Sequence, residues 1–139
     1  WIAIDDATPE NGCMRFIPGS HKSKDLAPHD LKKDSSATLS QELSAGTFDE
    51  AEAVDVALEA GQISLHDVYL YHGSEANASP KPRRGMTLRL MPTSSFYDRE
   101  LARRAAEERG DYDQSVRSLF LLRGEDRTGR NDFRVRPLA

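Results

Sequence analysis

Short apolar runs separated by strong turn signals are the feature that most limits the folds open to this chain. The runs are four to ten residues long and contain many β-branched and aromatic residues, which is typical of strands rather than helices. They cover Trp1–Ile4, Cys13–Ile17, Ala53–Leu58, Ile63–His72 and Met86–Met91. About five strands joined by turns and one long excursion predict an antiparallel β architecture.

The segments between these runs carry their own signals. Thr8–Gly12 reads Thr-Pro-Glu-Asn-Gly, in which proline sets φ and Asn-Gly accepts positive φ, so the first seventeen residues are predicted to form a hairpin. Ser23–Gly46 is polar and irregular, and it is interpreted as a loop excursion with a short helix around Thr38–Leu43. A helix is predicted from an N-cap at Ser95 to Gly110, followed by an extended charged tail.

Composition narrows the classes of function. The chain has 139 residues, enough for one domain, and its net charge of −4 makes a nucleic-acid partner unexpected. The single cysteine, Cys13, cannot form a disulfide within the chain, so a reducing compartment and a cytoplasmic location are expected. No apolar run approaches the ~18 residues of a membrane helix, and no membrane partner is expected. Because it opens directly on a strand at Trp1, the chain is interpreted as the C-terminal portion of a longer protein.

The stretch Leu70–Leu90 holds the residue types most suited to chemistry. His72 lies where one predicted strand ends, and histidine is a common metal ligand. Arg83 follows eleven residues later, where the next strand begins, and its guanidinium is suited to binding a carboxylate. The pattern suggests a site that holds a metal ion beside an acidic co-substrate. The alternative interpretation is an ordinary solvated face.

Two histidines, His66 and His72, are six residues apart on the same predicted strand, and an even spacing places them on one face. They are interpreted either as metal-site residues or as polar residues at a barrel mouth. Asp67 lies on the opposite face from His66, so the two do not form a chelating pair. Cys13 is interpreted as a buried small hydrophobe and Asn11 as structural. No Gly-x-Ser-x-Gly elbow, Cys-x-x-Cys pair, Walker loop or dinucleotide-binding glycine fingerprint occurs.

Four blocks of sequence, in a specific order and spacing, carry a family resemblance from residue 1 to about residue 95. They are Trp1–Asp6, Glu10–Lys22, Gly61–His66 and His72–Ser79 with Arg83. Taken together, these blocks resemble the phytanoyl-CoA dioxygenase family. The resemblance implies a mainly β fold, the double-stranded β-helix (jelly roll, cupin-like). Residues 1–95 would form the C-terminal part of its barrel, and residues 96–139 a helical and extended appendage packing on it.

The resemblance also implies a chemistry and a set of site residues. The implied enzyme is a non-haem Fe(II) oxygenase that couples decarboxylation of 2-oxoglutarate, as co-substrate, to hydroxylation of a small organic substrate by O₂. His72 matches the family's distal histidine ligand, and Arg83 the arginine that pairs with the distal carboxylate of 2-oxoglutarate. Ser74 matches a residue that contacts the same carboxylate region. Trp1 matches a residue that lines the co-substrate pocket.

The sequence departs from the family pattern in its metal ligands. The family's His-x-Asp pair supplies the other two ligands, and neither His-x-Asp nor His-x-Glu occurs in these 139 residues. Activity is therefore expected to require a segment upstream of Trp1. Two alternatives remain open: a non-catalytic jelly-roll ligand-binding protein, and an iron- and 2-oxoglutarate-dependent halogenase. The sequence does not indicate the substrate or the oligomeric state.

Overall fold

The computed structural model describes residues 1–31, 41–109 and 112–133, and the chain divides into two compact units, Trp1–Leu88 and Arg89–Ala139. The expected mainly β character is confirmed, since the described residues form small antiparallel sheets and one α-helix. The strands are β1 (Ile2–Ala3), β2 (Met14–Phe16), β3 (His29–Leu31), β4 (Gln41–Leu43), β5 (Val54–Val56), β6 (His72–Ser74) and β7 (Gly85–Met86), and the helix is α1 (Arg99–Arg109). Among these described residues, no helix is long and apolar enough to cross a bilayer.

Strand β2 is the centre of the largest sheet in the first unit. It pairs antiparallel with β5 along one edge and with β6 along the other. In this register Phe16 lies opposite Val54 on one side and His72 on the other, while Met14 lies opposite Ser74. Strand β2 directly follows the Thr8–Gly12 turn and pairs with β6. The turn is therefore connected through β2 to the strand that carries His72.

The predicted hairpin over residues 1–17 is wrong. Strand β1 pairs with β7, with Ile2 opposite Met86, and a bridge joins Ile2 to Ile63 on its other side. The turn itself is a short 3₁₀ segment, Pro9–Asn11, rather than a two-residue hairpin loop. Its Asn11 side chain accepts a hydrogen bond from the Thr8 backbone N–H at 2.7 Å and donates to the Asp6 carbonyl at 2.8 Å. The turn therefore directs β1 and β2 into different sheets.

The predicted continuous strand over Ile63–His72 is also wrong. The structure has a single bridge at Ile63 and then a turn organised by Asp67. The Asp67 carboxylate accepts a hydrogen bond from the Tyr69 N–H at 3.0 Å, and the Asp67 carbonyl accepts one from the Leu70 N–H at 3.1 Å. An aspartate that bonds the backbone two residues on favours a turn over an extended strand. Strand structure resumes only at His72.

The buried core of the first unit is small and sits around the Thr8–Gly12 turn. Its apolar members are Ala3, Ala7, Cys13, Met14 and Ile17. Cys13 is buried and free of any disulfide, as expected, and burial raises the pKa of its thiol, which keeps it protonated near neutral pH. Asn11 is only 2% exposed, which its hydrogen bonds permit.

Helix α1 begins one turn later than the sequence suggests, so the Ser95 N-cap is wrong. The cap is Asp98, whose carboxylate accepts a hydrogen bond from the Leu101 N–H at 2.9 Å. Asn131 holds the preceding residues out of the helix: its amide donates to the Ser95 carbonyl at 2.9 Å and accepts from the Tyr97 N–H at 2.9 Å. The predicted end at Gly110 lies outside the described residues.

The predicted short helix around Thr38–Leu43 is not borne out where the structure describes it. Gln41–Leu43 is strand β4, which pairs antiparallel with β3 so that His29 lies opposite Leu43. Residues 38–40 lie outside the described part of the chain. The described part of the excursion therefore contains two short strands paired antiparallel.

Candidate functional site

His72, the first residue of β6, directs one ring nitrogen at a backbone carbonyl. Its Nδ1–H donates to the Leu70 carbonyl at 2.7 Å, which leaves the Nε2 lone pair free. The side chain is exposed at the edge where the chain enters the strand. Histidine ligands usually fix their other ring nitrogen on a carbonyl or carboxylate in this way, because the contact sets the tautomer and the ring orientation. The residue therefore fits one position of a metal site.

Two aromatic rings pack around this imidazole. The His66 ring centroid lies 5.0 Å from that of His72, and Phe16 lies 5.0 Å from His66 and 6.4 Å from His72, edge-on to the latter. Burial lowers the pKa of His66, and the neighbouring His72 lowers it further, so His66 is neutral near pH 7. The two histidines do lie side by side, but the Asp67 turn brings them together instead of a continuous strand.

Trp1 and Arg83 form a second pair. The Arg83 guanidinium carbon lies 5.8 Å from the centroid of the Trp1 ring, in the range of a cation–π contact. The Trp1 backbone is fixed by reciprocal hydrogen bonds with Ser64, at 2.8 and 2.9 Å. Its indole lies directly against Gly85, where an added Cβ would overlap the ring. Only glycine at position 85 lets the indole reach this position beside Arg83.

Arg84, the neighbour of Arg83, has a structural role. Its side chain forms a bidentate ion pair with Asp5, with Nε–Oδ2 and Nη2–Oδ1 distances of 2.8 and 2.7 Å, and its backbone N–H also donates to Asp5. Among the residues that the structure describes, no carboxylate pairs with Arg83. The two adjacent arginines therefore differ: Arg84 has an acidic partner within the fold, and the described residues supply none to Arg83.

The Asp5–Arg84 pair makes stability depend on pH at the acid end. Hydrogen bonds from Arg84 lower the pKa of the Asp5 carboxyl from 3.8 to about 2. Since the folded pKa lies below the unfolded one, the contribution is complete above pH ~4 and is lost as the pH falls toward 2. We expect Arg84→Met to flatten this part of the stability profile, measured by urea denaturation between pH ~2 and ~6. Arg123→Met, at an exposed position, is the control. Equal slopes in both variants would contradict the assignment.

Ser74 closes β6, two residues after His72, and lies opposite Met14 in the sheet. The structure thus places two of the four sequence-predicted site residues, His72 and Ser74, on one strand, and it places Trp1 against Arg83. Across the described residues, no three His, Cys, Asp or Glu side chains converge in a way that could hold a metal ion.

Sequence reasoning missed Ser20, which contacts the histidine turn. Its hydroxyl accepts a hydrogen bond from the Tyr71 backbone N–H at 2.8 Å and donates to the Ile17 carbonyl at 2.9 Å. The surrounding Pro-Gly-Ser-His segment lies in the Glu10–Lys22 block of the family resemblance, which gives Ser20 no role of its own. No local signal distinguishes a turn serine that bonds its own backbone from one that also bonds a distant peptide.

Comparison with known proteins gives a consistent result. A family model described as phytanoyl-CoA dioxygenase matches residues 1–85. The "Phytanoyl-CoA dioxygenase domain-containing protein 1 homolog" of Caenorhabditis elegans is 39% identical over 95 residues, and that of Caenorhabditis briggsae is 36% identical over 95. Each alignment covers 66% of this chain and 33% of the relative.

A plant relative extends the comparison. The "Phytanoyl-CoA dioxygenase" of Arabidopsis thaliana is 32% identical over 91 residues, covering 66% of this chain and 31% of its own length. The chain therefore spans about a third of the length of these curated relatives. No solved structure matches it.

Proposed function

Because this chain belongs to the phytanoyl-CoA dioxygenase family, we propose that it supplies part of the active site of an Fe(II)- and 2-oxoglutarate-dependent oxygenase. The enzyme would hydroxylate a small organic substrate with O₂. The observation that best supports this is the family match over residues 1–85, and the His72 imidazole agrees with it, since its Nδ1–H is fixed on the Leu70 carbonyl and its Nε2 is free at an exposed strand end. When bound, Fe(II) would let O₂ oxidise 2-oxoglutarate to succinate and CO₂ while the substrate takes up the second oxygen atom.

The roles of the protein residues follow from their positions. His72 Nε2 is proposed to hold the metal, and Arg83 to bind the distal carboxylate of 2-oxoglutarate through two parallel N–H donors. Trp1 is proposed to cover one face of that guanidinium, which limits its access to water and strengthens its pairing with an anion. Ser74, at the end of the histidine strand, is proposed to contact the same carboxylate region.

Arg83 is a better candidate for this role than its neighbour. Arg84 already pairs bidentately with Asp5, so the fold already supplies its guanidinium with a carboxylate. Arg83 is half-buried against Trp1, and the structure describes no acidic partner for it. A dicarboxylate co-substrate would supply the missing anion.

The remaining parts of the site are proposed to lie outside these 139 residues. The relatives are about three times as long as the matched segment, which leaves room for two further ligands and more strands. Leu65 and Val68, on the segment that leads to His72, are 81% and 78% exposed, and further strands of a jelly roll would cover such side chains. Residues 1–95 are proposed as the C-terminal part of that jelly roll and residues 96–139 as an appendage. A cytoplasmic location stays a prediction.

A pair of arginine variants tests the proposal in the protein expressed from its complete natural reading frame. We expect Arg83→Met to weaken 2-oxoglutarate binding at least tenfold, because the side chain keeps an unbranched apolar stem and loses its charged fork. Affinity is measured by calorimetry on the Fe(II)-loaded protein without oxygen, and succinate formation is then measured in air. The matched control, Arg84→Met, should change the affinity less than about threefold.

Two results would contradict the proposal. The first is a wild-type protein that binds no 2-oxoglutarate in the presence of Fe(II). The second is an equal loss of affinity in the Arg83 and Arg84 variants, which would show that the effect comes from the fold of the loop and not from a specific carboxylate contact.

A further inference from the structure

We propose that Ser20 is a positioning residue for His72, acting through the peptide bond between Leu70 and Tyr71. The inference rests on the proposed function only in taking His72 as a metal ligand. The hydroxyl of Ser20 holds one end of this peptide, and the imidazole of His72 bonds the other end. The geometry therefore links a turn residue to the orientation of the proposed ligand.

The link depends on the rigidity of a single peptide unit. The Tyr71 N–H, which donates to Ser20 Oγ at 2.8 Å, and the Leu70 carbonyl, which accepts from His72 Nδ1–H at 2.7 Å, belong to the same planar group. Rotation of this plane would move both hydrogen bonds at once. Fixing the N–H on Ser20 thus fixes the direction of the carbonyl, and the carbonyl sets the tautomer and tilt of the imidazole.

A second hydrogen bond holds Tyr71 through its carbonyl group. The Tyr71 carbonyl accepts a hydrogen bond from the Ile17 N–H at 3.0 Å, and the Ser20 hydroxyl donates to the Ile17 carbonyl at 2.9 Å. Ser20 is therefore anchored to β2's end while it accepts from Tyr71. Hydrogen bonds in such a chain polarise one another, so the Leu70 carbonyl becomes a stronger acceptor for the histidine.

The local backbone is built to present this hydroxyl. Gly19 has φ +85°, in the left-handed region, and it leads into the 3₁₀ turn Ser20–Ser23. This reversal brings the hydroxyl back over the end of β2, where the Tyr71 peptide lies. Ser23, the other serine of this turn, donates to the Ser20 carbonyl instead.

Lys24 provides a matched control on the same turn. Its ammonium pairs with Asp67 and lies 5.3 Å from the centroid of the Tyr69 ring, so it braces the other end of the turn. The structure gives it no contact with the Leu70–Tyr71 peptide. Lys24→Met therefore loosens the contact with the Asp67 turn. It leaves the hydrogen bond from the Tyr71 N–H to the Ser20 hydroxyl in place.

The test measures metal affinity as well as activity, again in the protein from its complete reading frame. Co(II) replaces Fe(II) as the probe, because its absorption bands report both binding and coordination geometry. We expect Ser20→Ala to weaken Co(II) binding about fivefold or more and to alter these bands, since loss of a partner behind a ligand typically costs 10- to 100-fold in affinity. Ser20→Thr should restore affinity to within about twofold, because it keeps the hydroxyl, and Lys24→Met should change it less than about twofold.

The outcomes separate this proposal from the proposed function. If His72→Ala weakens Co(II) binding and Ser20→Ala does not, the positioning role is wrong and the proposed function stands. If His72→Ala also leaves Co(II) binding unchanged, both fail. Equal losses in Ser20→Ala and Lys24→Met would show general loosening and would overturn the specific role. Should Ser20→Ala not fold, Ser20→Cys, a weaker acceptor, is expected to give a loss of about threefold, and unchanged affinity in it counts against the proposal.

Discussion

Replacing His72 with alanine is expected to reduce both metal affinity and 2-oxoglutarate turnover by at least about 100-fold. The loss should exceed the 10- to 100-fold that removal of a ligand's supporting partner causes, because the ligand itself is removed. Stability should change little, since the side chain is exposed and its one polar contact is with a nearby carbonyl. Metal affinity is measured by Co(II) titration and turnover by succinate formation.

His29 is a matched control for this substitution. Like His72 it is exposed, is the first residue of its strand and directs Nδ1 at the carbonyl two residues earlier, Ala27, at 2.8 Å. His29→Ala therefore removes the same ring with the same local hydrogen bond from a position outside the proposed site. We expect it to leave metal affinity and turnover within about twofold. Undiminished succinate formation by His72→Ala would refute the ligand assignment.

The second large effect is expected at Gly12. This residue has φ +78°, a conformation that L side chains rarely adopt, and a Cβ there would overlap the backbone carbonyl oxygen of Glu75. We expect Gly12→Ala to lower the free energy of unfolding by about 3 kcal/mol or more, combining backbone strain with displacement of a neighbouring backbone. Because Glu75 directly follows Ser74, the end of β6 should shift as well. Urea denaturation measures the stability.

Gly46 is the control that distinguishes backbone strain from the clash with Glu75. It has nearly the same φ, +80°, yet an added Cβ would meet nothing within 4 Å. Gly46→Ala should therefore cost only the strain of the left-handed conformation, about 1 kcal/mol. The difference between the two variants reports the contact with Glu75. Equal destabilisation would show that this contact does not limit the packing of the turn.

The β character of the chain could be predicted because it depends on local sequence. Strands β2 and β5 lie within the apolar runs Cys13–Ile17 and Ala53–Leu58, where β-formers are concentrated. Which strands pair with each other could not be predicted from local sequence. The Thr8–Gly12 turn has good hairpin chemistry, but the partners of β1 are Ile63 and Met86, which no local signal identifies.

The site shows the same division between local and distant causes. The Asp67 turn has a local signal, because aspartate bonds the backbone N–H two residues on, and that signal outweighed the strand pattern around it. Trp1 was identified only through a family resemblance, whereas Arg83 was also indicated by its position at the start of a predicted strand after His72. The role of Ser20 depends on a hydrogen bond to a residue 51 positions away, which sequence reasoning on one chain does not reveal.

The strand order also determines when this unit can form during protein synthesis. Strand β2 is made early, but its partners are β5 and β6, and β1 pairs with Ile63 and β7. Strands β1 and β2 therefore meet these partners only after residues 54–86 have left the ribosome, and such distant pairing is intrinsically slow. Since Arg83 lies just before β7, we expect its contact with Trp1 to close last. A nascent chain interrupted before that point would expose unpaired strand edges to aggregation.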